Sequence, residues 1–502
     1  MTNATTAVTN PAEQLLFEMS VEGRRCLRLP ELDVPKVDVK TALKGAKLRN
    51  QPAKLPELSE LDVVRHFKNL ADKNFSVDKN FYPLGSCTMK YNPKINVTLL
   101  SKPGFTKAHP HLPEADIQGH IELMYNLEGY LREISGLPAV TLQPAAGAHG
   151  EMTGIMVIQA FFRDKGEGKT RTEVIIPDSA HGTNPATAAL AGFKTVTLKS
   201  NADGGCDLEA LKAMVGPQTA AMMITNPTTL GLIEPNMLQI AEILHAAGAK
   251  LYMDGANMNA IQGVVRPGDY GVDVMHFNLH KTYSVPHGSG GPGAGPIAVR
   301  EDLEPYLPTP RPIKKPDGTF TLEFKRPKTI GKVRSFFGNY GALVMAYIYM
   351  SQLGREGVRR NAEYAVLAAN YIRAKLRGHY HIQNDKTCAH EVVFTDAKQD
   401  AESHLHAIDV AKRLIDYGIH PMTIYFPQAN VTGGHGAMMV EPTETESKQT
   451  LDFFIDVMKK IAAECKENPD LLKNAPHNMP VVRLDEVRAT TQPQLYCPMC
   501  MA

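Results

Sequence analysis

From residue 139 to residue 300 the chain alternates short apolar runs with stretches whose apolar positions recur at helical spacing. The runs 139–142, 173–176, 195–198, 220–224, 250–253, 272–277 and 296–299 predict strands. Helical patterns at 151–162, 208–215 and 236–247 fill connections between them. Such β-α alternation predicts an α/β fold with a mostly parallel sheet between helices, and ligands of such sheets sit at the carboxyl ends of the strands. Upstream, Ile117, Ile121, Met124, Leu127, Leu131 and Ile134 mark one face of a helix stopped by Gly136 and Pro138. Downstream, 341–376 is strongly helical, followed by strands at 392–394, 423–425 and 438–440 and helices at 403–416 and 445–465.

This pattern divides the chain into four parts. Residues 1–110, irregular and dotted with proline, read as an extended arm and interface segment. Residues 111–340 form the large domain, 341–465 a smaller C-terminal α/β domain, and 466–502 a tail. The segment 305–328, dense in Pro, Lys and Arg, reads as a long ordered loop or an interface excursion.

Composition narrows the class. With 502 residues, 43% hydrophobic and 21% charged, the chain is long enough for a substantial core, and a net charge of +1 offers no bulk attraction to nucleic acid or an anionic membrane. The longest apolar stretch, 342–350, is far short of a membrane span, and the polar first residues lack a signal or transit pattern, so a cytoplasmic location is expected. Seven scattered cysteines suggest free thiols in a reducing compartment. Cys497 and Cys500 have metal or redox spacing but stand without a second such pair, and read either as a frayed tail or as such a site. No metal centre is expected elsewhere.

The candidate chemistry lies at the predicted strand ends. Asp254 closes one apolar run and Lys281 follows the next, the spacing of one strand-crossover-strand unit. An amine and an acid at one sheet edge suit pyridoxal 5'-phosphate (PLP), whose aldehyde forms a Schiff base with lysine and whose pyridine nitrogen a carboxylate keeps protonated. The turn at Ala146, Gly147 and Ala148 opens a helix and offers N–H groups to a phosphate, or is a plain βα turn. His149 beside it is a ligand contact or a polar residue of the first turn. His181 is placed to stack on the ring, or stands in a helix-capping loop where Asp178 and Asn184 do the capping. Asn226 is a partner for the ring hydroxyl oxygen or a turn residue before proline, and His280 points to the phosphate or to the opposite sheet face. A glycine-rich run at 288–295 follows the lysine and opens no helix, so it is not a dinucleotide fingerprint.

The order of these positions looks like fold type I PLP enzymes. More specific strings are NFYPLGSCTMK at 80–90, QPAAGAHGE at 143–151, DSAHGTNP at 178–185, NLHKT at 278–282 with PHG at 286–288, and GN at 338–339. Together they resemble the glycine decarboxylase P-protein of the glycine cleavage system, over about residues 60 to 460. The chain matches the lysine-bearing one of that family's two homologous halves, so it looks like subunit 2 of the split form.

The resemblance implies PLP-dependent decarboxylation of glycine and transfer of the aminomethyl group to the lipoyl arm of H-protein. It implies Lys281, Asp254 and His181 as catalytic, and Ala146, Gly147, Ala148, Asn226 and His280 as further cofactor contacts. The segment from Tyr82 to Lys90 would reach over the site, with Tyr82, Ser86 and Thr88 as candidates for the glycine carboxylate or as ordinary loop packing. Subunit 1, lipoylated H-protein and a heterotetramer of two copies of each subunit are the implied partners. The alternatives are another fold type I lyase or transferase, such as a desulfurase or aminotransferase, and a scaffold subunit without cofactor.

Overall fold

The computed structural model describes residues 14–51, 53–288, 293–424 and 432–495. They fall into two compact units, one from Met1–Ser76 with Arg483–Ala502, the other Val77–Val482. In the first unit the helix Glu60–Asp72 is capped by Ser59, whose hydroxyl accepts the Asp62 N–H. Leu27, Leu29 and Val37 of this unit are 74%, 84% and 72% exposed, so the segment carries large apolar side chains without enclosing them.

The second unit is built on seven strands: β1 (Ala139–Thr141), β2 (Glu173–Pro177), β3 (Lys194–Leu198), β4 (Thr219–Thr225), β5 (Lys250–Gly255), β6 (Val274–Phe277) and β7 (Ile297–Val299). Their order is β1-β7-β6-β5-β4-β2-β3. β2 to β6 run parallel and β7 is antiparallel to both neighbours. Every residue of β4, β5, β6 and β7 is buried, which is why these strands read as continuous apolar runs. Alternate residues serve two cores: Met222, Ile224 and Met253 pack into one, Ala221, Met223 and Tyr252 into the other. Among the described residues, no helix is long and apolar enough to cross a membrane.

The helix Gln118–Ser135 matches the apolar stripe that announces it and ends on Gly136 at φ 68°. The helix Thr183–Leu190 is a departure. Its sequence, TNPATAAL, is mostly small residues and gives no apolar stripe to read. The segment 305–328 also differs from the expected loop, because it contains the hairpin β8 (Arg311–Lys314) and β9 (Phe320–Glu323). Phe320 and Leu322 alternate into the core, and Asp317-Gly318 makes the turn, with Asp317 accepting the Thr319 N–H at 2.9 Å. The density of Lys, Arg and Pro hid that two-residue period.

A long helix, Tyr340–Leu376, then crosses from the sheet core to a second core and is broken once, at Gly354, where φ 60° and ψ −175° suit glycine alone. The second core packs around antiparallel β10 (Val392–Thr395) and β11 (Ala437–Val440), with the helices Ala407–Asp416 and Lys448–Glu467. Of the expected strand 423–425, Thr423 forms an isolated bridge to Met439, while residue 425 lies outside the described residues. So do Cys497 and Cys500, and residues 289–292 of the glycine-rich run.

The helix Gly147–Asp164 lies close against the sheet because Gly150 has no side chain. A Cβ there would stand 2.6 Å from the Gly295 carbonyl oxygen and 3.0 Å from His276 Cβ. Overpacking of this kind costs about 1–3 kcal/mol, more than the roughly 1 kcal/mol that alanine gains in helix propensity. Gly150→Ala is therefore expected to lower the thermal midpoint; an unchanged or higher midpoint would show that the helix lifts off freely.

Candidate active site

Parallel strands deliver their carboxyl ends to one edge, and five of the predicted positions gather there. In register, Thr225 of β4 faces Asp254 of β5, which faces His276 of β6. Asp254 is buried, and its carboxylate accepts the Ala256 N–H at 2.9 Å and the Asn184 side-chain N–H at 3.2 Å. His276 Nε2 lies 3.2 Å from Oδ1, the oxygen that also accepts from Ala256, and His276 Nδ1 lies 2.9 Å from the Tyr252 hydroxyl. A carboxylate only accepts, so Nε2 carries the proton and Nδ1 accepts from Tyr252. Burial pushes the Asp254 carboxyl up, but His276, the Ala256 N–H, Lys281 and Asn184 together hold it below the usual carboxylate range.

Asn184 is thus committed to Asp254, not to helix capping, and Asp178 accepts from the Ser200 N–H at 3.1 Å. His181 is exposed beside them, its Nδ1 within 2.9 Å of the Thr183 hydroxyl, which donates to Glu151 at 2.8 Å. Glu151 is buried, and one of its oxygens lies within 4.8 Å of both the Asp254 and the His276 ligand atoms. Asn226 accepts the Glu234 N–H through Oδ1 at 3.1 Å.

The turn before the helix Gly147–Asp164 brings Ala146, Gly147 and Ala148 to the same edge. No side chain among the described residues caps this helix start, so its first N–H groups and the positive end of the helix dipole are offered to a ligand. His149 accepts the Ala145 N–H at 3.1 Å. Burial and then Arg334 pull the His149 pKa down. A Cβ on Gly147 would come 2.4 Å from Asn278 Oδ1, so glycine lets the turn meet the loop that carries Lys281. Asn339 ties the turn further, donating to the Ala145 carbonyl at 3.1 Å.

Lys281 Nζ donates to the Ser86 carbonyl at 2.8 Å, so the segment from Tyr82 to Lys90 does lie directly on this amine. Tyr82 stacks on His420 with ring centroids 3.6 Å apart. The N–H groups of Ser86 and Thr88, which the sequence offers to a substrate carboxylate, are already given to Glu391 at 2.8 Å and Glu441 at 3.0 Å. The segment ends on Lys90, buried and paired with Glu444 at 2.6 Å. His280 Nδ1 accepts the Ala294 N–H at 3.3 Å and its ring meets His287 edge-on. Burial, then Lys281 and His287, take its pKa down to about 3, so the ring is neutral and keeps Nε2–H as a donor.

Sequence reasoning missed His276, Glu151, Glu391 and Glu441. A histidine inside the otherwise apolar strand β6 was a usable signal, because a buried polar side chain demands a partner. Glu391 and Glu441 gave no such signal, since their partners lie 305 and 353 positions away in sequence.

The polar groups at this edge fit PLP, a polar ligand with both donors and acceptors. Thr225 Oγ1, Asn184 Oδ1 and Asn278 Oδ1 are buried at this edge without a partner among the described residues. An ionised acid, an amine and an open helix start complete the set.

The family described as "Glycine cleavage system P-protein" matches residues 29–311, and "Glycine dehydrogenase, C-terminal domain" matches 361–479. A "Probable glycine dehydrogenase (decarboxylating) subunit 2" of Caldanaerobacter subterraneus is 53% identical over 95% of this chain and 97% of its own. One of the same description from Listeria welshimeri is 54% identical over 96% and 97%. Among solved structures, a glycine decarboxylase P-protein in inhibitor-bound form superposes with TM-score 0.70 at 21% identity, covering 84% of this chain and 94% of that one. A cysteine desulfurase of Thermococcus onnurineus gives TM-score 0.59 at 17% identity over 76% and 95%, and the shared fold is PLP fold type I. The chain belongs to the glycine cleavage system P-protein family, among its glycine dehydrogenase (decarboxylating) subunit 2 members.

Proposed function

We propose that this chain is the PLP-bearing half of a glycine decarboxylase, which releases CO2 from glycine and passes the aminomethyl group to the lipoyl arm of H-protein. The observation that carries the reading is one sheet edge holding both the Lys281 amine and Asp254, a buried carboxylate kept ionised by His276. PLP bound there supplies an electron sink for the pair released with CO2.

The remaining work falls to the chain's own side chains. Lys281 would be the amine that holds the cofactor. Asp254, ionised at neutral pH, is the base that a protonated pyridine nitrogen requires. Gly147 and Ala148 would hold the phosphate with their N–H groups, joined by Ala146 and by His280 through Nε2–H. His181 would cover one face of the ring, and Asn226 would give its Nδ2 to the ring hydroxyl oxygen. With the Ser86 and Thr88 N–H groups engaged, the hydroxyls of Tyr82 and Ser86 remain for the glycine carboxylate, and Thr88 serves the segment's shape. That segment also keeps water from the amine.

Cytoplasmic residence accords with the free thiols of the cysteines among the described residues. The exposed leucines and valines of the first unit support a partner, subunit 1, in a heterotetramer of two copies of each. Light scattering of the two chains mixed is expected to give twice the summed mass of one pair; separate species end this part of the reading.

Added PLP should give the wild-type chain a visible absorbance band, and Lys281→Ala should lose it along with borohydride-fixed cofactor. An unchanged band in the variant sinks the assignment. With subunit 1 and H-protein present, exchange of labelled bicarbonate into glycine separates a decarboxylase from a desulfurase or aminotransferase. Asp254→Asn is expected to slow that exchange about 100-fold or more, the scale of a lost proton-holding group. Because the Asp254 pKa is depressed, its stabilising contribution is present above the ordinary 3.8 and lost only as pH falls below it. The neutral-pH profile therefore reports other groups.

A further inference from the structure

The segment over Lys281 is held in an unfavourable shape. Ser86 and Thr88 adopt φ 64° and 41°, left-handed conformations that cost a non-glycine residue roughly 1–2 kcal/mol each. Such conformations persist only where the surroundings over-determine them. Here the surroundings are two glutamates. Glu391 immediately precedes β10 and Glu441 immediately follows β11, and since Val392 pairs with Val440 the two acids stand side by side. Both are fully buried. Each spends one oxygen on the segment, Glu391 on the Ser86 N–H and Glu441 on the Thr88 N–H. Gly85 between Leu84 and Ser86 is pinned as well, accepting from the Thr423 hydroxyl at 2.8 Å and donating to the Met439 carbonyl at 3.2 Å.

The other oxygens, Glu391 Oε1 and Glu441 Oε1, have no hydrogen-bond partner among the described residues, and neither ring nitrogen of the buried His390 has one. One ligand atom from each of these three residues lies within 4.8 Å of the other two. Two carboxylates this close, away from water, do not both ionise.

Resting on the PLP reading above, we propose that Glu391 and Glu441 share one proton and act as positioning residues, clamping the segment at 85–88 so that the Ser86 carbonyl receives the Lys281 amine. They touch neither substrate nor cofactor; they act through Ser86. The groups facing the pair are Lys281, His390, Cys87, Cys388 and Glu444, the last already matched by Lys90. His390 cannot supply the proton, because burial and Lys281 lower its pKa to about 3. Burial and Glu441 push Glu391 far above the ordinary range, and burial pushes Glu441 up to about 7. The pair therefore holds its shared proton through neutral pH, and a second proton, on Glu441, leaves near 7.

A carboxyl that titrates higher folded than unfolded stabilises the fold in its protonated form, so that contribution is present below 4.5 and is lost as pH rises through about 7. The first measurement is the unfolding midpoint of cofactor-free chain against pH. Wild type is expected to lose stability between pH 4.5 and 7, and Glu441→Gln, which keeps an acceptor for Thr88, to lose less over that range. The second is the pH midpoint of the visible band with PLP added, which Glu441→Gln and Glu391→Gln should shift while still binding PLP. Identical pH dependence of both readouts in wild type and both variants overturns the proposal. Should Glu441→Gln fail to fold, Glu391→Gln decides alone. A missing band in wild type would remove the PLP reading, while the stability slope still judges the clamp.

Discussion

A carboxylate buried at the end of a strand is the constraint around which this protein is arranged. Asp254 sits where water does not reach, and an ion there survives only if its lone pairs are met. Strand register brings His276 to one side, the Ala256 N–H comes from its own turn, and Asn184 arrives from a separate helix. Tyr252 then fixes the imidazole from beneath. Each of these partners depends on the parallel sheet being formed in this order. The electrostatics of the site and the topology of the fold are one requirement seen twice.

The sheet was legible because its strands are buried on both faces, and buried strands read as apolar runs punctuated by glycine and proline. Asp254 and Lys281 were legible for the same reason: a charged residue ending such a run has a forced position. Loops and small-residue helices were less so. The helix Thr183–Leu190 has no stripe, and the β8–β9 hairpin carries its period under a cover of Lys, Arg and Pro. Within the site, His276 was hidden by its apolar neighbours. The glutamates 391 and 441 were hidden by distance along the chain, because only the folded protein shows that they face residues 86 and 88.

Two cores therefore meet at one amine. The sheet core contributes the acid, the open helix start and Lys281 itself. The second core, built on β10 and β11, contributes what holds the covering segment. The buried pair Lys90–Glu444 closes the same segment at its far end, where the Lys90 ammonium also donates to the Thr282 carbonyl. Neither core alone presents Lys281 to a defined acceptor.

The break at Gly354 is what lets one helix serve both cores: residues 342–350 before it pack into the sheet core, and residues 368–376 after it pack around β10 and β11. A side chain at 354 would have to adopt a backbone conformation open only to glycine, so its strain would fall on the joint between the two cores.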